Sequence, residues 1–164
     1  MRLIKPSFEI LEQEPGIQGI YKQIERAGRT CYKSEDHITE DSAEKFVNMI
    51  KDRQHTAMLE HGTVYLHINW PYRSPSPLIK YSINPYSITK YVDNTYDIYV
   101  TTNYRVLYEN NWLNDLQYLC EPTEYHEKRI TVKFICDRGV SHEFVRHRVF
   151  SFAQESTRQE TMAA

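Results

Sequence analysis

The feature that most restricts this chain is strict apolar alternation in short runs. Thr63 to Asn69 places Val64, Leu66 and Ile68 against Thr63, Tyr65, His67 and Asn69, and Ile130 to Cys136 sets Ile130, Val132, Phe134 and Cys136 against Thr131, Lys133 and Ile135. Side chains alternate between the two faces of an extended strand, so each run predicts a strand, the first with one buried face. Ile98 to Thr102 predicts another, and Met1 to Ile10 alternates enough for a first strand. Other stretches follow the helical period. Ile17 to Ala27 is helical after Pro15-Gly16. A second helix begins at Asp41 and Ser42 as caps, carries Ala43, Phe46, Val47 and Ile50 on one face, and ends near Gln54. Tyr104 to Leu119 is expected as a third helix, with Val106, Leu107, Leu113 and Leu116 inward, and with Asn103 as its cap on the plainer account of that residue. Ser141 is expected to cap a fourth helix after Gly139. Trp70 to Asp97 holds four prolines and many tyrosines and is expected to be a largely irregular excursion.

With 164 residues, the chain suits one domain with a real core. Lys and Arg number 20 against 22 Asp and Glu, so no global basic field argues for nucleic acid. Locally the balance inverts: residues 127 to 158 carry seven basic residues against four acidic ones. A basic pocket in an acidic protein suits a small anion. Cys31, Cys120 and Cys136 form neither an even set nor a zinc spacing, so no metal site is expected and a reducing compartment is the default. The chain lacks a basic leader and any run of roughly 20 apolar residues. A soluble, cytoplasmic protein without membrane contact is expected.

The chemistry concentrates in Arg146-His147-Arg148 and in Ser156, with Gln154 and Arg158 beside that serine. Guanidinium forks suit phosphate or a pyrimidine carbonyl, an imidazole can lie against a ring, and a hydroxyl can orient it. The plain alternative is a helix end whose basic residues favour the dipole. If the triad rides on the helix after Gly139, successive residues turn by about 100°, so the three side chains must address different groups. His55 and Glu60-His61 precede the first clear strand. Their spacing does not fit a zinc protease, and His61 also reads as a core histidine satisfied by backbone. Cys31, in Gly28-Arg29-Thr30-Cys31-Tyr32, reads as structural rather than nucleophilic.

Arg138 through Arg158 resembles the signature region of the flavin-dependent thymidylate synthases, and the segments around Gly28 to Tyr32 and His55 to His61 resemble that family's early part more loosely. The resemblance implies a single α+β domain, a mostly antiparallel sheet with packed helices. It implies a cytoplasmic homotetramer with FAD and dUMP at subunit interfaces, NADPH as reductant and methylenetetrahydrofolate as carbon donor, which turns dUMP into dTMP. By motif, Arg146 and Ser156 are the catalytic pair, with Glu143, Arg146, Gln154, Glu155, Ser156 and Arg158 on dUMP and His55, Glu60, His147 and Arg148 on FAD. Ser156 lacks a base to activate it as a nucleophile and is expected to orient the ring. Asn103-Tyr104-Arg105 is similar to the family's Asn-x-Arg flavin motif. Three departures stand out: Gln154 replaces a glutamate, Glu143 a glutamine and Gln159 a tyrosine. Residues 70 to 97 resemble an insertion, and the end at Ala164 is read as a missing C-terminal part, with weak flavin retention expected. The alternative is a non-catalytic nucleotide- or flavin-binding module derived from that family.

Overall fold

A computed structural model describes residues 5–72, 74–93, 95–147 and 149–155. The elements run β1 (Ser7–Leu11), α1 (Gly16–Tyr32), α2 (Ser42–Asp52), β2 (Thr63–Asn69), β3 (Ile88–Val92), β4 (Asp97–Asn103), α3 (Tyr104–Glu109), β5 (Thr131–Ile135) and α4 (Arg138–Phe144), with short 3-10 turns between several of them. The fold is α+β with antiparallel sheets. One sheet has the order β2-β4-β3, and β1 and β5 form a separate two-stranded ribbon. Register in the larger sheet sets Thr63 opposite Asn103 and Ile88 opposite Thr101.

The core lies where α1 and α2 meet the larger sheet and α3. Ile20 and Ile24 from α1, Phe46, Val47 and Ile50 from α2, Val64 and Leu66 from β2, Val100 from β4 and Leu107 from α3 are all nearly or fully enclosed. Two glycines permit this closeness. A Cβ on Gly28 would fall 2.5 Å from the Phe46 ring, and one on Gly62 would fall 2.7 Å from Ile20 and Ile24. α1 and α2 therefore cross at short range just before Cys31 and Tyr32.

Several expectations change. β2 buries both faces, because the chain from Leu119 to His126 wraps it: Leu119 bridges to Leu66 along the strand's outer edge, and the His126 ring covers the second face, edge-on to Tyr65 and Tyr99. The Pro- and Tyr-rich stretch contains a regular strand, β3, and buries Leu78 and Tyr81, whose hydroxyl donates to Asp115 at 2.8 Å. The helix expected over 104–119 stops at Glu109, since Asn111 takes a left-handed φ of 59°, and a 3-10 turn over Leu113–Tyr118 follows. Asn103 does cap α3, accepting from the Val106 amide. At α2 the expected cap is missing: Asp41 makes no side-chain cap bond, and Ser42 instead turns its hydroxyl to Thr39 and the buried Glu25 carboxylate.

The ribbon contrasts with the sheet. Phe8 faces Phe134 and Ile10 faces Val132, yet Phe8 is 69 % and Phe134 50 % exposed. No helix among the described residues is long and apolar enough to cross a membrane.

Candidate functional site

The signature region enters through α4. Asp137 is its N-cap, accepting from the Val140 amide at 3.1 Å, so the helix begins at Arg138 and Ser141 lies inside it. Asp137 outranks the expected Ser141 because its extended backbone already presents the carboxylate to the first free amides. The helix also ends early. Phe144 is its last residue and Val145 its C-cap, so Arg146 and His147 sit in the turn beyond it rather than on it. The 100° rotation therefore does not govern their directions. Arg146 reaches back to Glu143, Nη1 to Oε2 at 3.0 Å, with both side chains largely in solvent. The Glu143 carboxylate thus has a cationic partner three residues on. His147 lies near the Phe150 ring, 6.2 Å between centroids. Arg148, Ser156 and Arg158 lie outside the described residues.

Beyond the turn, the chain from Ser151 to Glu155 crosses back onto the body as a strap. The Ser151 hydroxyl donates to Glu60 at 2.7 Å, and Glu155 pairs with Lys33 at 2.6 Å. Between them the backbone of Phe152 meets the His61 ring, and that of Gln154 meets the Cys31 thiol. The Gln154 amide donates to Ser141 at 2.8 Å, tying strap to α4.

Beside this contact, sharing Cys31 with it, lies an open cleft of about 450 Å³, walled by Cys31, Tyr32, His55, Met58 and Arg105. Local chain geometry builds it. Lys33 ends α1 in the left-handed region at φ 49°, Gln54 does so after α2 at φ 57°, and the two helix ends lie side by side. The Tyr32 hydroxyl and His55 Nδ1 are 2.7 Å apart. Glu60 and Arg105 meet because Thr63 pairs with Asn103, which brings the residues just before β2 beside those just after β4. Arg105 also donates through Nε to Glu109 at 2.7 Å, and Thr56 donates to the same carboxylate at 2.8 Å. Burial pushes the Glu109 carboxyl up, but these two hydrogen bonds outweigh it and hold it below the usual carboxylate range.

His61 is half core histidine, half open valence. Burial lowers its pKa, the Glu60 charge and the Phe152 backbone oppose that shift, and Nε2 is enclosed without a partner. Cys31 sits 3.8 Å from the Met58 sulfur, and burial raises its thiol pKa, in keeping with a structural role. A second thiol invites comparison: Cys120 Sγ lies 3.8 Å from His126 Nε2. That nitrogen carries its proton to the Leu66 carbonyl at 3.1 Å and so offers no base, while burial pushes the thiol up to about 11. No group of three metal-ligating side chains occurs among the described residues.

The structure thus brings His55, Glu60, Gln154 and Glu155 onto one surface and leaves Glu143 exposed in the last turn of α4 and Arg146 and His147 just beyond it. Sequence reasoning missed Ser151 and Lys33 as parts of this surface and marked Tyr32 only through the resemblance of Gly28 to Tyr32. Only the Arg105–Glu109 pair carried a sequence signal, through its four-residue helical spacing. No protein-family model, curated protein or solved structure matches this chain.

Proposed function

We propose that this chain is a flavin-dependent thymidylate synthase, converting dUMP to dTMP with methylenetetrahydrofolate as carbon donor and NADPH as reductant through FAD. The observation that carries the reading is a convergence. The resemblance assigns His55 and Glu60 to the flavin and Gln154 and Glu155 to the nucleotide, and these distant segments share one surface through the Ser151–Glu60 hydrogen bond. The cleft supports it too: about 450 Å³ of space lies beside that surface, with the hydrogen-bonded Tyr32–His55 pair and Arg105 in its wall. FAD, once reduced, supplies the reducing equivalents.

The chain's own groups bind and orient. By the resemblance, Arg146 and Arg158 are assigned to dUMP, Ser156 to orienting its ring, and His55, His147 and Arg148 to the flavin. Arg146 must exchange Glu143 for the nucleotide, a small cost for so exposed a pair. The exposed apolar ribbon face, with Val149 and Phe150 also exposed at 89 % and 62 %, supports a homo-oligomer, a tetramer by resemblance. A cytoplasmic location belongs to the same reading.

A non-catalytic nucleotide- or flavin-binding module is the second reading. It is favoured by the Glu143 carboxylate, which already neutralises the arginine the chemistry needs. The separating measurement is dUMP-dependent NADPH oxidation with FAD and methylenetetrahydrofolate added, for the wild type, Arg146→Ala and Ser156→Ala. Turnover lost in both variants supports the enzyme. dUMP binding without turnover in the wild type supports the module, and no dUMP binding at all sinks both.

A further inference from the structure

Glu60 stands at the centre of a polar chain that joins distant segments. Its Oε1 accepts from Arg105 Nη1 and its Oε2 from the Ser151 hydroxyl. Arg105 is in turn fixed on its other edge by Glu109, which Thr56 also holds. A guanidinium is planar and presents its donors at fixed angles, so two carboxylates on adjacent edges set its orientation, and it sets theirs. Glu60 and Arg105 are each about one-third exposed, which makes these charge-assisted bonds stronger than pairs in open solvent. The carboxylate is therefore aimed at the strap by groups that belong wholly to the body of the fold.

The strap depends on such aim. Few large apolar groups hold it: Ser151, Gln154 and Glu155 are exposed, and Phe152 and Ala153 only partly buried. Its seat is polar, made at Glu60, His61, Cys31 and Lys33. The Lys33–Glu155 pair is more than half exposed on the glutamate side and contributes little alone. The hydrogen bond from Ser151 goes to a charged acceptor whose direction the body of the fold fixes, and is charge-assisted.

We propose that Glu60, oriented by Arg105, is a positioning residue that latches Ser151 and so seats the Ser151–Glu155 strap beside the cleft, bringing Gln154 and Glu155 to the nucleotide. The latch stands on the contacts above, whereas its service to the nucleotide rests on the proposed dUMP site. Glu60 acts here through the chain it holds. Ser151, which the motif skips over, becomes a determinant of nucleotide affinity without touching the nucleotide.

The experiment uses the whole chain, with amide hydrogen exchange across the strap and calorimetric titration with dUMP, for the wild type, Ser151→Ala, Ser151→Thr and Arg105→Gln. Ser151 is exposed, so its alanine variant leaves the core intact, and unchanged exchange in β4 verifies this. Losing a hydrogen bond to a charged group should speed strap exchange about tenfold or more in Ser151→Ala and Arg105→Gln, and weaken dUMP binding by about the same factor. Ser151→Thr keeps the hydroxyl and should keep both wild-type values. Strap exchange unchanged in Ser151→Ala overturns the latch. Faster strap exchange with undiminished dUMP affinity overturns the positioning role. A wild type that binds no dUMP removes the nucleotide reading, while the exchange comparison still decides the latch.

Discussion

The β2-β4-β3 sheet with α1, α2 and α3 and the β1–β5 ribbon with α4 are built from similar residues and end in opposite conditions. In the sheet, alternation is used twice over: Leu66 and Val100 face helices, while Tyr65 and Tyr99 meet His126. In the ribbon the same alternation leaves Phe8, Ile10 and Phe134 at the surface, with Phe144 of α4 stacked on Phe134 at 5.0 Å as partial cover. Alternation specifies a strand, and what covers the strand is decided elsewhere in the chain. The signature turn belongs to the uncovered region, and polar ties through the strap and at Gln13 and Arg129 join it to the covered one.

The largest test of this contrast compares two truncations. Leu66→Ala removes a side chain with no exposed surface and should lower the unfolding free energy by about 2–5 kcal/mol. Phe134→Ala deletes a larger side chain that is half exposed, and should cost less than Leu66→Ala, about 1 kcal/mol. Urea unfolding of both variants measures the difference. Equal losses would mean that the ribbon is packed as tightly as the sheet in solution, as it would be if another copy covered it, and dilution of Phe134→Ala against wild type would then separate the two causes.

The same contrast explains what could be read from the sequence. α1, α2, β2 and β4 declare themselves because their apolar spacing is local and their burial agrees with it. β3 does not, for its exposed pattern and surrounding prolines hide a strand that exists by pairing with β4. The break after Glu109 turns on one left-handed asparagine, which a propensity argument cannot distinguish from a helical one. At the site, His55 and Glu60 were legible only by resemblance, and Gln154 and Glu155 likewise. Their meeting was not legible at all. It follows from the Thr63–Asn103 register and from a strap whose ties span most of the chain, and no local pattern encodes either.

Acid should probe the junction next, with a smaller effect. Burial holds His61, at the strap, and His126, behind β2, below the ordinary histidine value. Between that value and their lowered folded values, the unfolded chain binds protons that the folded chain refuses. Stability is therefore full above about pH 6.5 and declines as pH falls below it, with at most about 1.4 kcal/mol lost per pH unit for each group. Urea midpoints at about pH 7.5 and 5.5 should show the lower value in acid. His61→Gln should flatten part of that slope and leave the share of His126. A midpoint that rises on acidification contradicts the burial of both rings, and a slope untouched by His61→Gln places the whole effect in the sheet region.

The smallest expected change in stability comes from the residue with the largest proposed part in binding. Arg146 and Glu143 are 74 % and 66 % exposed, so their ion pair is screened by water and contributes little to folding. Arg146→Ala should shift the unfolding free energy by less than about 0.5 kcal/mol, against several for Leu66→Ala. If Arg146 turns from Glu143 to dUMP, the same variant should lose nucleotide affinity, and Glu143→Gln should gain some by freeing the guanidinium. Unfolding curves and dUMP titrations of the two variants measure this separation. A destabilised Arg146→Ala would show that the turn is packed in solution. Glu143→Gln binding dUMP no better than wild type would show that the carboxylate does not compete for Arg146, and that the turn's exposed charge pair is not what limits the site.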